Sequence, residues 1–212
     1  LHVAADLQSF GAQGITVHPS PDQRQIRYDD ALALPKALTT EFNIEGNPIP
    51  KFIDLVTQIQ PDQVTLVPDG EDAITSNAGW DTIKHKDFLI EVISEFKNHG
   101  IRTSIFVDPV EQMVKGAEKT GTDRIELYTE AYAQKFKKNP EEAVAPYTRA
   151  AIVANDLGIG INAGHDLNLE NIAFFAQNIP QLLEVSIGHA LVCESLYLGF
   201  GNVIPMYFHR LR

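Results

Sequence analysis

Along the chain, short runs of β-branched and apolar residues alternate with segments of helical period at intervals of roughly 20 to 40 residues, the rhythm of repeated βα units. Seven runs have strand character, at residues 14–18, 42–45, 64–68, 103–107, 124–128, 158–162 and 183–187. A helical pattern follows each of them. The clearest are 87–98, which Gly100 brings to a stop, and 140–156, framed by Pro140 in its first turn and Gly158 beyond its end. Residues 69–81, rich in Gly, Asp, Ser and Asn, form the one long connection of functional character.

The chain opens on residues 1–10, where Leu1, Val3, Ala4, Leu7 and Phe10 have helical spacing, so a helix precedes the first strand-like run. Eight strands close a parallel barrel, and a helix followed by seven βα units is that architecture without its first strand. The pattern therefore predicts an α/β fold, a (β/α)8 TIM barrel lacking its first β-strand, as a single domain over residues 1–212. An open doubly wound sheet is the alternative. Against it stand the lack of a Gly-x-Gly-x-x-Gly turn after the first strand and the spread of polar residues over the ends of almost every strand.

Composition narrows the setting. With 212 residues, 44% hydrophobic and 21% charged, the chain can bury one sizeable core. Its apolar stretch 190–208 is interrupted by Glu194, Asn202 and Pro205, unlike a membrane span of ~20 apolar residues. There is no signal-peptide pattern and Cys193 is the sole cysteine, so a reducing, cytoplasmic setting is expected. The 28 acidic and 17 basic residues leave a net charge of −11 with no basic stripe, and nucleic acid is not an expected partner. That field repels an anionic substrate, so a site for one must concentrate local donors such as arginines and helix N-termini.

In barrel enzymes the reacting groups project from the C-terminal ends of the strands. Here His18 ends the first run, Glu45 the second, Thr75 lies in the loop after the third, Glu126 sits within the fifth, His165 follows the sixth and Gly188-His189 the seventh. A lone strand-end histidine is usually a packing or surface residue. Six positions converging on one mouth are different: histidines and glutamates together are the composition that general acid and base catalysis needs. Asn162-Ala163-Gly164-His165-Asp166 and Ser186-Ile187-Gly188-His189-Ala190 read as glycine-containing turns entering helices, where backbone amides can hold a phosphate; the same glycines would equally serve plain tight turns. No metal site is expected, because no two of His18, His165 and His189 have the i, i+4 spacing of a metal helix. A Schiff-base aldolase would need a strand-end lysine, and none of the seven runs contains one.

The motifs Gly11-Ala12-Gln13-Gly14-Ile15-Thr16-Val17-His18, Glu41-Phe42-Asn43-Ile44-Glu45, Val64-Thr65-Leu66-Val67-Pro68, Ile74-Thr75-Ser76-Asn77-Ala78-Gly79-Trp80-Asp81, Asn162-Ala163-Gly164-His165 and Ile187-Gly188-His189-Ala190 stand in order along the chain. In sequence and spacing they resemble the pyridoxine 5'-phosphate synthase family. The resemblance implies a cofactor-free, transferase-type ring closure of 1-deoxy-D-xylulose 5-phosphate with 3-amino-2-oxopropyl phosphate, in a homo-oligomer, octameric by resemblance. It also implies roles: His18 and Glu45 as proton acceptors, His165 as proton donor, and Thr75 on the pentulose phosphate. Asp166 through its backbone, with Gly188 and His189, would hold the phosphate of the amino substrate, and Glu126 would be a supporting carboxylate inside the barrel. The sequence departs from the family where an arginine and a histidine usually contact the pentulose phosphate: Ser20 and Gln25 stand there, with Arg24 and Arg27 as the nearby candidate donors. The family's first strand and loop, which carry further substrate contacts, are expected to lie outside these residues. Another phosphate-binding barrel isomerase or lyase is the alternative activity. A weakened barrel that only binds a phosphorylated metabolite is the alternative of a different class, and the retained set His18, Glu45 and His165 argues against it.

Overall fold

Period-two alternation on the strands, with an apolar stripe on each helix, produces a layered barrel. The computed structural model describes residues 1–20, 22–70 and 76–212. In chain order it comprises α1 (His2–Ser9), β1 (Gly14–Val17), α2 (Tyr28–Ala33), β2 (Glu41–Gly46), α3 (Pro50–Ile59) and β3 (Gln63–Leu66). There follow α4 (Lys86–Asn98), β4 (Arg102–Val107), α5 (Glu111–Glu118), β5 (Arg124–Tyr128), α6 (Glu130–Phe136) and α7 (Pro140–Asp156). The last elements are β6 (Gly160–Gly164), α8 (Ile172–Asn178), β7 (Leu182–Ser186), α9 (His189–Leu198) and α10 (Phe200–Arg210).

The strands form one parallel sheet in the order β1 to β7. That order excludes a doubly wound sheet, in which strand order reverses at a switch point. Among the described residues β1 and β7 do not pair with each other, so the barrel is nearly closed with one opening, the position an eighth strand takes in a full (β/α)8 architecture.

The alternation decides which side chains meet. Phe42, Ile44, Val64, Leu66, Ile105, Val107, Ile125, Leu127, Ile161 and Ala163 face outward and join Phe52, Leu89, Ile93, Phe96, Tyr147 and Phe175 of the helices in the main core. Intervening positions face the barrel axis and are largely polar, whereas branched apolar residues usually fill a barrel. Asn43 donates to the hydroxyls of Thr16 and Thr65 at 3.2 Å each. Arg124 donates to Asn162 at 3.2 Å and to Glu184 at 2.9 Å, and Arg102 to Gln63 at 2.8 Å. Near the mouth a small apolar cluster, Val67, Phe106 and Tyr128, is buried.

Two boundaries show why local signals work and where they fail. Helix α7 spans the expected 140–156: Asn139 caps it by accepting from the Glu142 amide at 3.1 Å, Pro140 fills its first position, and Gly158 follows with φ of 73°. That same glycine displaces the sixth strand. Gly158 and Ile159 bond back to Asn155 and Ala154 as the end of α7, so β6 begins at Gly160, two residues later than the β-branched run suggested. The apolar stretch 190–208 is divided between α9 and α10, and Glu194, which interrupts it, accepts from the Tyr207 hydroxyl at 2.6 Å and from the Leu169 amide at 3.1 Å.

Candidate active site

His18 lies one residue past β1, and Glu45 one residue before the end of β2 on its inward face. Glu45 Oε1 lies 3.6 Å from His18 Nδ1 and 4.0 Å from His165 Nε2, so the expected acid/base set meets at the C-terminal mouth. Asp69, three residues past β3, was not anticipated. Its Oδ2 lies 3.8 Å from His18 Nε2 and accepts from Ser76 Oγ at 2.6 Å, while its backbone carbonyl accepts from Asn47. The connection that carries Ser76 is pinned nearby: Trp80 donates from its backbone to Phe106 and from its indole to Leu66, and a Cβ at Gly79 would meet the Val107–Asp108 backbone at 2.3 to 2.5 Å.

His165 is held by backbone strain. It and Asp166 have φ of 70° and 49°, a conformation costing about 1–2 kcal/mol per non-glycine residue. The surroundings enforce it. The Thr129 hydroxyl, fully buried, reaches the carbonyls of Gly164 and His165, and Asn171 donates to the Asp166 carbonyl at 3.1 Å. Tyr132 in turn donates to the Asn171 carbonyl at 2.7 Å, and Tyr147 of α7 to the Tyr128 carbonyl at 2.8 Å, so core aromatics anchor the turn. The His165 ring packs against Phe106 at 4.6 Å and edge-on to Tyr128 at 5.4 Å. One expectation is corrected here: Asn162-Ala163-Gly164 is strand, and α8 starts only at Ile172, so Asp166 does not enter a helix. The other turn is as expected. Gly188 is the N-cap residue of α9, whose first turn, beginning at His189, has no side-chain cap and leaves amides for an anion.

Glu126 sits deeper, on β5 between Phe106 and Asn162 of the neighbouring strands. It is 1% exposed, and neither carboxyl oxygen has a hydrogen-bond partner among the described residues. Gly164 makes room for it, since a Cβ there would lie 2.2 Å from Glu126 Oε1. Arg24 is in the loop after β1, its Nε 3.3 Å from Asp22, which also accepts from Ser20 at 2.9 Å. Arg27 turns outward to Asp30 at 2.8 Å. Thr75 lies outside the described residues. Among the described residues no group of three His, Cys, Asp or Glu side chains is placed to hold a metal.

Burial sets the protonation states. It raises the Glu45 carboxyl to about 8, assisted by the charge of Asp69. It also puts Glu126 well above the usual carboxylate range, with Glu45 and Glu184 adding to the effect. Both imidazoles move the other way: burial lowers His18, opposed by Asp69 and assisted by Arg24, and lowers His165 against the pull of Asp166 and Asp69. At neutral pH the site therefore holds two neutral imidazoles beside a protonated carboxyl, which is a set able both to give and to take protons.

The chain matches the family model described as "Pyridoxal phosphate biosynthesis protein PdxJ" over residues 1–212. It is 64% identical over 212 residues to a pyridoxine 5'-phosphate synthase of Flavobacterium johnsoniae and 61% identical to one of Christiangramia forsetii, covering 100% of this chain and 90% of each relative. Among solved structures it resembles a monomeric form of dimeric phosphoribosylanthranilate isomerase from Thermotoga maritima, with a TM-score of 0.64 and 17% identity over 100% of this chain and 93% of that one. At that identity the likeness shows the barrel fold alone.

Proposed function

The chain belongs to the PdxJ family of pyridoxal phosphate biosynthesis proteins, and from that premise we propose that its barrel mouth closes the pyridine ring of pyridoxine 5'-phosphate. The substrates are 1-deoxy-D-xylulose 5-phosphate and 3-amino-2-oxopropyl phosphate; the products are pyridoxine 5'-phosphate, inorganic phosphate and water. The observation that carries this reading is the meeting of His18, Glu45 and His165 within 4.0 Å over the buried carboxyl of Glu126.

The reaction is proton traffic: an amine adds to a ketone and water leaves, phosphate departs, a carbon–carbon bond closes the ring, and a final dehydration follows. His18, neutral and beside Glu45, accepts protons. Glu45 starts protonated, so it becomes an acceptor only once a positive charge arrives, and the ammonium or iminium of the amino substrate supplies one, drawing the carboxyl pKa down. His165 donates to the departing group, which requires that it first gain a proton, as the negative charge of a bound phosphate favours. The α9 N-terminus at Gly188 and His189, with the Asp166 backbone, holds the amino substrate's phosphate; Thr75 and Arg24 serve the pentulose phosphate. The chain works in the cytoplasm as a homo-oligomer, and the exposed side chains of Val192, Leu196 and Tyr197 on α9 supply an apolar face for assembly.

Incubating the protein with both substrates tests the reading: pyridoxine 5'-phosphate and inorganic phosphate should accumulate in equal amounts. Neither product forming, with both substrates intact, overturns it.

A further inference from the structure

Three of the groups facing His18 are acidic or basic partners already placed in the site: Glu45 from β2, His165 beyond β6, and Arg24 from the loop after β1. Asp69 has no such role. It lies three residues past β3, its side chain is 11% exposed, and its Oδ2 faces the one ring nitrogen of His18 that Glu45 does not. Ser76 fixes that oxygen and Asn47 fixes the Asp69 backbone, so the carboxylate is oriented from two sides. His18 and Asp69 also share a narrow cavity with Asn47 and Tyr28, which leaves the ring edge facing protein.

We propose that Asp69 is a positioning residue for His18: its carboxylate keeps the imidazole proton on Nε2 and so leaves Nδ1 as the free electron pair that faces Glu45. A neutral imidazole has one donor and one acceptor nitrogen, and a carboxylate offers only acceptors, so the nitrogen nearest Asp69 must be the donor. At 3.8 Å the contact is looser than a hydrogen bond, as catalytic contacts commonly are before substrate tightens them. When Nδ1 takes a proton, the ring becomes an imidazolium with Asp69 against its far side; when it returns that proton, the original tautomer is restored. The direction of proton transfer between His18, Glu45 and the substrate is thus set by a residue that touches none of the reacting atoms.

This inference rests on the acid/base role of His18 proposed above, and the experiment separates the two. Asp69→Asn keeps the shape and removes the charge; with Nδ2 where Oδ2 stood, the amide donates to Ser76 Oγ and presents a donor to the ring. Long-range nitrogen–proton NMR of histidine-labelled protein should show His18 protonated on Nε2 in the wild type and moving to Nδ1 in the variant. In the same variant kcat should fall by roughly 10²-fold with KM for both substrates little changed, and Asp69→Glu should recover part of the loss. If Asp69→Asn keeps wild-type kcat, or loses it while His18 stays protonated on Nε2, the assignment is wrong although the functional reading stands. Normal turnover by His18→Asn would overturn that reading and this inference with it.

Discussion

In the unfolded chain the Glu45 carboxyl ionises near 4.5, whereas inside the barrel burial carries it to about 8. Between those values the folded protein keeps a proton that the unfolded chain has released, so stability falls as pH rises through this window and levels off above it. At 1.36 kcal/mol per unit over roughly 2.5 units, the accumulated penalty at pH 7 is about 3 kcal/mol, an upper bound because water entering a locally relaxed site reduces it. Glutamine matches the protonated carboxyl in shape and does not titrate. Glu45→Gln should therefore exceed the wild type in stability by less than about 1 kcal/mol near pH 5 and by up to about 3 kcal/mol at pH 7, while ring closure drops by about 10²- to 10⁴-fold. Glu126 is present in both proteins, so its own titration largely cancels in the comparison. Urea unfolding of both at pH 5, 6, 7 and 8, at one protein concentration, gives the two stability curves. Parallel curves would mean that the folded protein holds Glu45 ionised, and the starting state assigned to the site would fall with them.

His165→Asn should lose about 10²- to 10⁴-fold in turnover with its melting temperature preserved; near-normal turnover removes it from the chemistry. Gly164→Ala forces a methyl to within 2.2 Å of Glu126 Oε1 and should cost about 1–3 kcal/mol in urea unfolding together with most activity, an outcome that unchanged unfolding would contradict. Ser20→Arg should lower KM for the pentulose phosphate more than it changes kcat, and Arg24→Ala should raise that KM; unchanged KM in both places this phosphate on other residues.

The strand rhythm and the outward apolar face of each strand were legible because they are local: Phe42, Asn43, Ile44 and Glu45 alternate within four residues, and that alternation alone puts Glu45 inside the barrel. The sixth strand was displaced because Gly158 and Ile159 lead locally into the β-branched run of Ile159 and Ile161 yet are bonded back into α7. Asp69 escaped notice for a different reason. It opens the connection 69–81 that composition had marked as functional, but nothing singles it out there, and Asn47 and His18 reach it only after three strands have paired in register. The same holds for Thr129, which reaches the His165 carbonyl across 36 residues. Reading the residues named the proposed acid/base set but not its protonation, because a carboxyl is shifted by what surrounds it and the surroundings of Glu45 come from β1, β3 and the turn after β6. A barrel whose interior is polar makes such shifts sharper: Glu45 and Glu184 add to burial in raising Glu126, so carboxyls gathered on the axis make one another harder to ionise. The site's readiness to give a proton is therefore a property of the assembled sheet, built from strands whose sequences carry no sign of it alone.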